Sequence, residues 1–209
     1  MTNDETDQQR MIRTFIAIEI SDLTRRNLAR AQDELKAALQ GRGGGIRWVP
    51  PENIHVTIKF LGEVPPNIVL EIGGIMTECC DGVAPFALVV RGVGAFPPAG
   101  ARPPRVVFAA AEIPEELRKI RDCLEEKLAL LGIKRERRAF KAHLTLGRVR
   151  LRRGPSGRGP RATDELQSIM TRMADRDFGE THVEAVTLMR SDLSPSGAVY
   201  TPLHRVSLV

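Results

Sequence analysis

Two short segments carry the residue types that acid–base chemistry requires. One reads His-Val-Thr-Ile from His55, and the other reads His-Leu-Thr-Leu from His143. Successive side chains of a β-strand point to opposite faces, so each histidine shares a face with its threonine, Thr57 or Thr145. The apolar residues of each segment then face a core. Two such strands side by side would place two imidazoles and two hydroxyls around one cavity.

This set of groups suits the opening of a cyclic phosphodiester. An unperturbed imidazole titrates at about pH 6.5, so one histidine can be neutral while the other is protonated. The reaction needs a base for the attacking water and an acid for the leaving oxygen, each worth about 10²–10⁴-fold. The threonine hydroxyls can donate hydrogen bonds to the phosphate oxygens, where charge must be stabilised. Because the leaving oxygen is protonated directly, we expect neither a metal nor another cofactor.

The repetition of the pattern carries more weight than either copy. One such segment in a strand is mostly structural, but two copies in equivalent halves of the chain favour a function. The other histidines, His182 and His204, lie in predicted C-terminal strands without a threonine two residues further on. They are therefore interpreted as structural or exposed.

The elements that position the motifs alternate between strands and helices. Apolar, β-branched runs predict strands, and apolar residues at three- and four-residue spacing predict amphipathic helices. The predicted strands are 14–20, 46–49, 54–61, 86–93, 105–111, 143–151, 183–190 and 199–208, and the predicted helices are 23–39, 66–80, 114–131 and 164–173. Several strands are close enough in sequence to pair antiparallel, so the fold class is α+β. Each half has a long helix followed by a motif strand, which suggests two pseudo-symmetric lobes.

The bulk composition favours a globular protein with a polyanionic partner. The chain has 209 residues, a formal net charge of +5 and a sequence pI near 9.5, and lysine and arginine displace counterions from phosphates. Residues 1–10 predict a disordered tail, and residues 11–209 a single domain. The three cysteines lack disulfide or zinc spacing, so we expect buried thiols in a reducing compartment. Without a signal peptide or a membrane-spanning run, we expect a cytoplasmic protein. We also expect it to be a monomer.

Longer segments around both motifs resemble a known family. Residues 13–18 (RTFIAI), 47–62 (RWVPPENIHVTIKFLG), 92–97 (GVGAFP) and 140–149 (FKAHLTLGRV) resemble the RNA 2′,3′-cyclic phosphodiesterases. These enzymes are also called 2′-5′ RNA ligases and belong to the two-histidine phosphoesterase superfamily. Gly147 stands where the family often has alanine. The resemblance implies a bilobal α+β fold in which two antiparallel β-sheets line a central cleft, with helices on the outside.

The resemblance also implies an activity and a role for each motif residue. The implied reaction hydrolyses RNA 2′,3′-cyclic phosphate ends to 2′-phosphomonoesters, with His55 as the proton donor and His143 as the proton acceptor. Thr57 and Thr145 would hold the phosphate. The same pair would reversibly join tRNA halves by a 2′-5′ bond, so the expected partner is RNA with a cyclic end, tRNA fragments included. Two alternatives stay open: a non-catalytic RNA-binding module, and a cyclic phosphodiesterase acting on a small nucleotide.

Three further residues are candidate RNA contacts: Trp48, Lys59 and Arg148. Trp48 is a candidate for base stacking, whereas Phe60 and Phe96 are interpreted more readily as core residues. Lys59 is four residues from the first histidine and points to the motif face in a regular strand. Arg148 is five residues from the second histidine and points away unless a bulge brings it back. Both are weighed as phosphate contacts against ordinary surface salt bridges.

Overall fold

The helices and strands follow the predicted order, with one additional strand in the C-terminal part of the chain. The computed structural model describes residues 10–39, 45–98, 104–149, 162–195 and 197–209. The strands are β1 (Ile12–Glu19), β2 (Ile46–Trp48), β3 (His55–Val64), β4 (Phe86–Phe96), β5 (Val106–Ala111), β6 (His143–Val149), β7 (Asp177–Val183), β8 (Ala185–Leu193) and β9 (Ala198–Ser207). The helices are α1 (Asp22–Ala38), α2 (Val69–Cys80), α3 (Glu115–Lys127) and α4 (Ala162–Arg172). The predicted strand at 183–190 merged the end of β7 with β8. Residues 1–9 of the predicted tail lie outside the described residues.

Local sequence signals explain where helices begin and end. The N–H of Thr24 donates to Ser21 Oγ over 3.2 Å, which satisfies one amide group left free at the start of α1. The 3₁₀ turn after α3 ends at Gly132, whose φ of +78° is a conformation that glycine adopts at little cost. No helix in the described part of the chain is long and apolar enough to cross a membrane.

The strands form one curled antiparallel sheet. Hydrogen bonding runs in the order β7-β4-β5-β6-β3-β1-β8-β9, and β2 pairs with β6. The motif strands β3 and β6 are neighbours at the centre of this order, where Val56 and Leu144 form their register pair. The α+β class is confirmed. The prediction of two antiparallel sheets is wrong for the described residues, because the β3–β6 pairing joins a half of five strands, β2 included, to a half of four strands in one sheet.

The helices pack in two pairs over the apolar side of the sheet. Helix α1 lies beside α4 and against β7, where Thr24 Oγ1 donates to Glu180 O over 3.1 Å. Helix α2 lies beside α3 and β9. The core includes Val56 and Leu144 of the motif strands. The apolar positions of both motifs are therefore fixed from one side, which leaves the polar positions on the other.

The cysteines depart from the prediction of three buried thiols. Cys79 of α2 and Cys123 of α3 form a disulfide across a sequence separation of 44 residues. Cys80 remains a buried thiol, and burial raises its pKa to about 11. The packing of α2 against α3 brings the bonded pair together, and no cysteine spacing in the sequence indicates this. The cysteines therefore do not indicate a reducing compartment.

Candidate active site

The two motifs meet where β3 pairs with β6. Val56 and Leu144 are register partners, and both side chains are buried. Alternation along each strand turns the histidines and threonines to the opposite face. In an antiparallel pair the residues next to a register pair also face one another, so each histidine lies across from the threonine of the other motif. One cavity of about 720 Å³ is lined by all four side chains: His55, Thr57, His143 and Thr145.

Each histidine is oriented by the main-chain carbonyl two residues upstream. His55 Nδ1 lies 2.8 Å from Asn53 O, and His143 Nδ1 lies 2.7 Å from Lys141 O. A carbonyl oxygen only accepts, so Nδ1 carries the proton and donates it in both rings. Nε2 is therefore the nitrogen that exchanges a proton, and His55 Nε2 lies 3.0 Å from Thr57 Oγ1.

Aromatic rings pack against both imidazoles. Phe15 stacks on His55 with ring centroids 4.8 Å apart, and Tyr200 meets the same imidazole edge-on at 5.2 Å. Phe96 meets His143 edge-on at 5.1 Å, so its half-buried ring, interpreted from the sequence as a core residue, supports the site. Sequence reasoning missed Phe15 and Tyr200, because both are distant from the motifs in sequence and only strand pairing brings them in.

Burial is the main influence on the protonation of His55. Desolvation is the largest cause, and it lowers the pKa of the imidazole below its ordinary value. The Asn53 carbonyl opposes this shift, the charges of His143 and Arg148 add to it, and the Glu19 carboxylate opposes it. The net pKa is lowered, so His55 is mostly neutral at pH 7 in the free protein.

A bulge follows the threonine in each motif. The register of β3 with β1 shifts so that Ile58 is an extra residue, and the register of β6 with β5 shifts so that Leu146 is an extra residue. These positions are equivalent, because each is the third residue after its histidine. An extra residue reverses the alternation beyond it, which turns Phe60 and Arg148 toward the cavity that both line.

The bulges change where the predicted RNA contacts lie. Lys59 is buried, and its Nζ lies 2.6 Å from Glu125 Oε2 and 3.1 Å from Lys134 O. The bulge at Ile58 removes the regular alternation that placed Lys59 on the motif face. Its ion pair with Glu125 is buried, so the alternative of an ordinary surface salt bridge is wrong as well. Phe60, interpreted as core, is 61% exposed. Arg148 lines the cavity, as predicted for a strand that contains a bulge.

Trp48 and the arginines complete the cavity wall. Trp48 is half-buried and lines the same cavity as the histidines. Arg13 and Arg47 line it together with Arg148. Sequence reasoning missed Arg13, although its two-residue spacing from Phe15 on β1 is a signal for a shared face. Among the described residues, no group of three or more His, Cys, Asp or Glu side chains is placed to hold a metal ion.

The two halves of the chain match one family profile in succession. The profile described as LigT like Phosphoesterase matches residues 18–108 and again residues 107–200. The first match contains His55 and the second contains His143, so each match holds one motif. The chain belongs to the LigT-like phosphoesterase family.

Curated relatives of this phosphoesterase match over nearly their whole length. An RNA 2′,3′-cyclic phosphodiesterase of Methanothermobacter thermautotrophicus is 32% identical over 192 residues, which is 92% of this chain and 96% of the relative. An RNA 2′,3′-cyclic phosphodiesterase of Archaeoglobus fulgidus is 34% identical over 92% of this chain and 98% of the relative.

Solved structures share the fold of this phosphoesterase. A crystal structure of a Thermus thermophilus protein has a TM-score of 0.73 and 31% identity over 94% of this chain and 98% of that chain. The crystal structure of E. coli LigT complexed with 3′-AMP has a TM-score of 0.70 and 23% identity over 95% of this chain and 99% of that chain. The second likeness concerns the fold alone.

Proposed function

We propose that this phosphoesterase hydrolyses the 2′,3′-cyclic phosphate end of RNA to a 2′-phosphomonoester without a metal. One observation carries the proposal: two imidazoles, each with Nδ1 bonded to a carbonyl, line one cavity together with two threonines. The curated relatives are named for action on the same substrate class. Arginines in the cavity wall add a positive potential that attracts a phosphate.

In the proposed mechanism the two histidines divide the proton transfers. His143 Nε2 takes a proton from the attacking water while the water oxygen bonds to phosphorus. His55 Nε2 delivers a proton to the 3′ oxygen as its bond to phosphorus breaks, so the phosphate remains on the 2′ oxygen. Burial lowers the pKa of His55, but a phosphodiester anion bound beside the ring favours the charged imidazolium. Substrate binding therefore favours the protonated form of His55, which the acid role requires.

The other cavity residues bind the substrate in this proposal. Thr57 and Thr145 donate hydroxyl hydrogen bonds to the non-bridging phosphate oxygens. Arg148 adds positive charge beside them, and Trp48 offers a ring face to a base. Lys59 is paired with Glu125 in the interior and does not line this cavity, so the proposal assigns it no contact with the reacting phosphate.

The same geometry allows the cyclic phosphate to be opened by a nucleophile other than water. A 5′-hydroxyl in place of water would form a 2′-5′ bond, so tRNA halves are candidate substrates for joining, although water as the solvent favours hydrolysis. A small cyclic nucleotide is the second candidate substrate, because a cavity of about 720 Å³ suits a single nucleotide-sized ligand. Pure RNA binding is disfavoured, since binding alone does not need a matched pair of titrating groups.

We also infer that residues 11–209 form a single two-lobed domain with the site between the lobes. Support comes from the two successive family matches and from the single register pair that joins the two halves of the sheet. A monomeric state stays a prediction.

The proposal is tested on a short RNA that ends in a 2′,3′-cyclic phosphate, in buffer containing EDTA. The wild-type protein is expected to produce a 2′-phosphate end, identified against 2′- and 3′-phosphate standards. His55→Ala and His143→Ala are each expected to lower kcat by about 10²–10⁴-fold, as the loss of a positioned acid or base does.

His182→Ala is the matched control for these variants. His182 is exposed on β7 and does not line the cavity, so this variant is expected to retain full activity. Circular dichroism checks that all three variants are folded. An intact cyclic end with the wild-type protein, or full activity in either motif variant, would contradict the proposal. Turnover of small cyclic nucleotides but not of RNA would favour the second candidate.

A further inference from the structure

A second cavity opens beside the proposed active site. Its volume is about 990 Å³. It shares four lining residues with the first cavity: Thr57, Phe60, Val106 and His143. The proposed hydrolysis of a terminal cyclic phosphate uses only the first cavity. We call the second cavity the basic groove because of the side chains that line it.

Positive charge dominates the basic groove. Five of its basic lining residues are exposed: Arg105, Lys134, Arg135, Arg138 and Lys141. Two acidic residues, Glu125 and Glu136, line it as well. Glu125 is already paired with Lys59, so an excess of positive charge faces the solvent. A surface of this kind, next to a phosphate site, attracts a polyanion.

An internal ion pair holds one wall of the groove in place. Four of the five exposed basic residues lie in the segment 134–141, which precedes β6. Glu125 Oε2 accepts from Lys59 Nζ over 2.6 Å and from the N–H of Glu136 over 3.0 Å. Lys59 Nζ also donates to Lys134 O over 3.1 Å. The segment is thus tied through two main-chain groups to β3 and α3, so its charges keep a defined place beside His143.

An aromatic ring stands where the two cavities meet. Phe60 lines both and is 61% exposed. Phe140 lines the groove with the Arg121 guanidinium 5.3 Å from its ring centroid. Proteins that bind single-stranded nucleic acid combine a basic track with aromatic rings on which bases stack. The basic groove has both features and leads directly to the proposed reacting phosphate.

We propose that the basic groove binds a single-stranded RNA segment that adjoins the phosphate reacting in the first cavity. This inference rests on the proposed function and deepens it, because it makes an RNA strand a better substrate than a single nucleotide. The segment is either the nucleotides upstream of the cyclic end or a second strand with a 5′-hydroxyl. Both present the same phosphate backbone to the groove.

The experiment compares a hexanucleotide and a mononucleotide that carry the same 2′,3′-cyclic phosphate. The measured quantity is the ratio of kcat/KM for the hexanucleotide to kcat/KM for the mononucleotide, over a range of salt concentrations. The groove variant carries three changes: Arg105→Gln, Arg135→Gln and Arg138→Gln. The control variant removes the same charge from exposed positions of α1 and α4 that line neither cavity: Arg26→Gln, Arg30→Gln and Arg172→Gln.

The wild-type protein and the control variant are expected to prefer the hexanucleotide, and the groove variant to lose this preference. Each lost phosphate contact reduces the slope of log(kcat/KM) against log[salt] by about 0.7 for a single strand. Three lost contacts reduce the slope by about 2 and lower the ratio by about 10–100-fold near physiological salt.

A second arm separates the two possible sources of the segment. An RNA with a 5′-hydroxyl and no cyclic end is added as an inhibitor of mononucleotide hydrolysis. If the groove variant keeps the length preference but escapes this inhibition, the groove holds the second strand. If the groove and control variants agree in both arms, the inference is overturned. Wild-type hydrolysis of the mononucleotide tests the proposed function separately, so the two failures are distinguishable.

Discussion

Replacing Lys59 by methionine removes the ammonium group that faces Glu125 in the interior and keeps a side chain of similar shape. The two side chains are 2% and 11% exposed, and Nζ lies 2.6 Å from Oε2. Removing one partner of a buried pair costs about 3–5 kcal/mol, because the other charge is left uncompensated. Arg121 lies 3.9 Å from the second Glu125 oxygen and offsets part of that charge. We therefore expect the lower end of the range, about 3 kcal/mol.

Thermal unfolding at one fixed redox condition measures this effect. In a chain of this size a loss of 1 kcal/mol lowers Tm by about 2–4 °C, so Lys59→Met is expected to lower Tm by about 6–12 °C. The double variant Lys59→Met/Glu125→Gln removes both charges and keeps an oxygen for the N–H of Glu136. It is expected to be more stable than the sum of the single variants predicts, by a coupling energy of about 1–3 kcal/mol.

Lys119→Met is the matched control for this prediction. Lys119 pairs with Glu115 on the solvent side of α3, where the two side chains are 66% and 73% exposed. Exposed ion pairs add little to stability, so this variant is expected to keep a Tm close to that of the wild type. The reasoning is refuted if Lys59→Met loses no more Tm than Lys119→Met, or if the losses in the double variant are additive.

Four further predictions concern His55, Thr57 and two glycines. In histidine ¹H NMR, the pKa of His55 is expected to lie below the ordinary value of about 6.5, and Arg148→Gln is expected to raise it; no change on substitution would argue against the charge effect. Burial favours the neutral imidazole of His55 and so lowers its pKa in the folded state. The stability that neutral His55 contributes is complete above about pH 6.5 and is lost as pH falls through the lower folded-state pKa, which urea unfolding against pH will show. Thr57→Val is expected to lower kcat by about 10²-fold with a smaller effect on KM, because the hydroxyl acts where charge develops. Gly147→Ala would place Cβ 2.7 Å from an isoleucine methyl group and is expected to destabilise the protein by about 1–3 kcal/mol. Gly74→Ala, with open space on α2, is expected to stabilise the protein by about 1 kcal/mol.

The two motif segments show which structural features the local sequence predicts. Alternation of polar and apolar residues belongs to the strand itself, so it predicted that His55 shares a face with Thr57 before any pairing was known. Helical spacing predicted α1 and α3 in the same local way. The residue types, two imidazoles and two hydroxyls, indicated acid–base chemistry on a phosphate. The sequence by itself therefore determined the elements apart from β7, the motif faces and the class of reaction to expect.

Strand pairing between segments that are distant in sequence decided the bulges, the side-chain directions beyond them and the continuity of the sheet. The bulges at Ile58 and Leu146 are defined only by the neighbouring strand, β1 or β5, and they turn Lys59 inward and Arg148 toward the cavity. The β3–β6 register pair likewise joins two halves of the sheet that the sequence presented as separate. These features depend on contacts between residues far apart in the chain, and the preferences of a single segment do not encode such contacts.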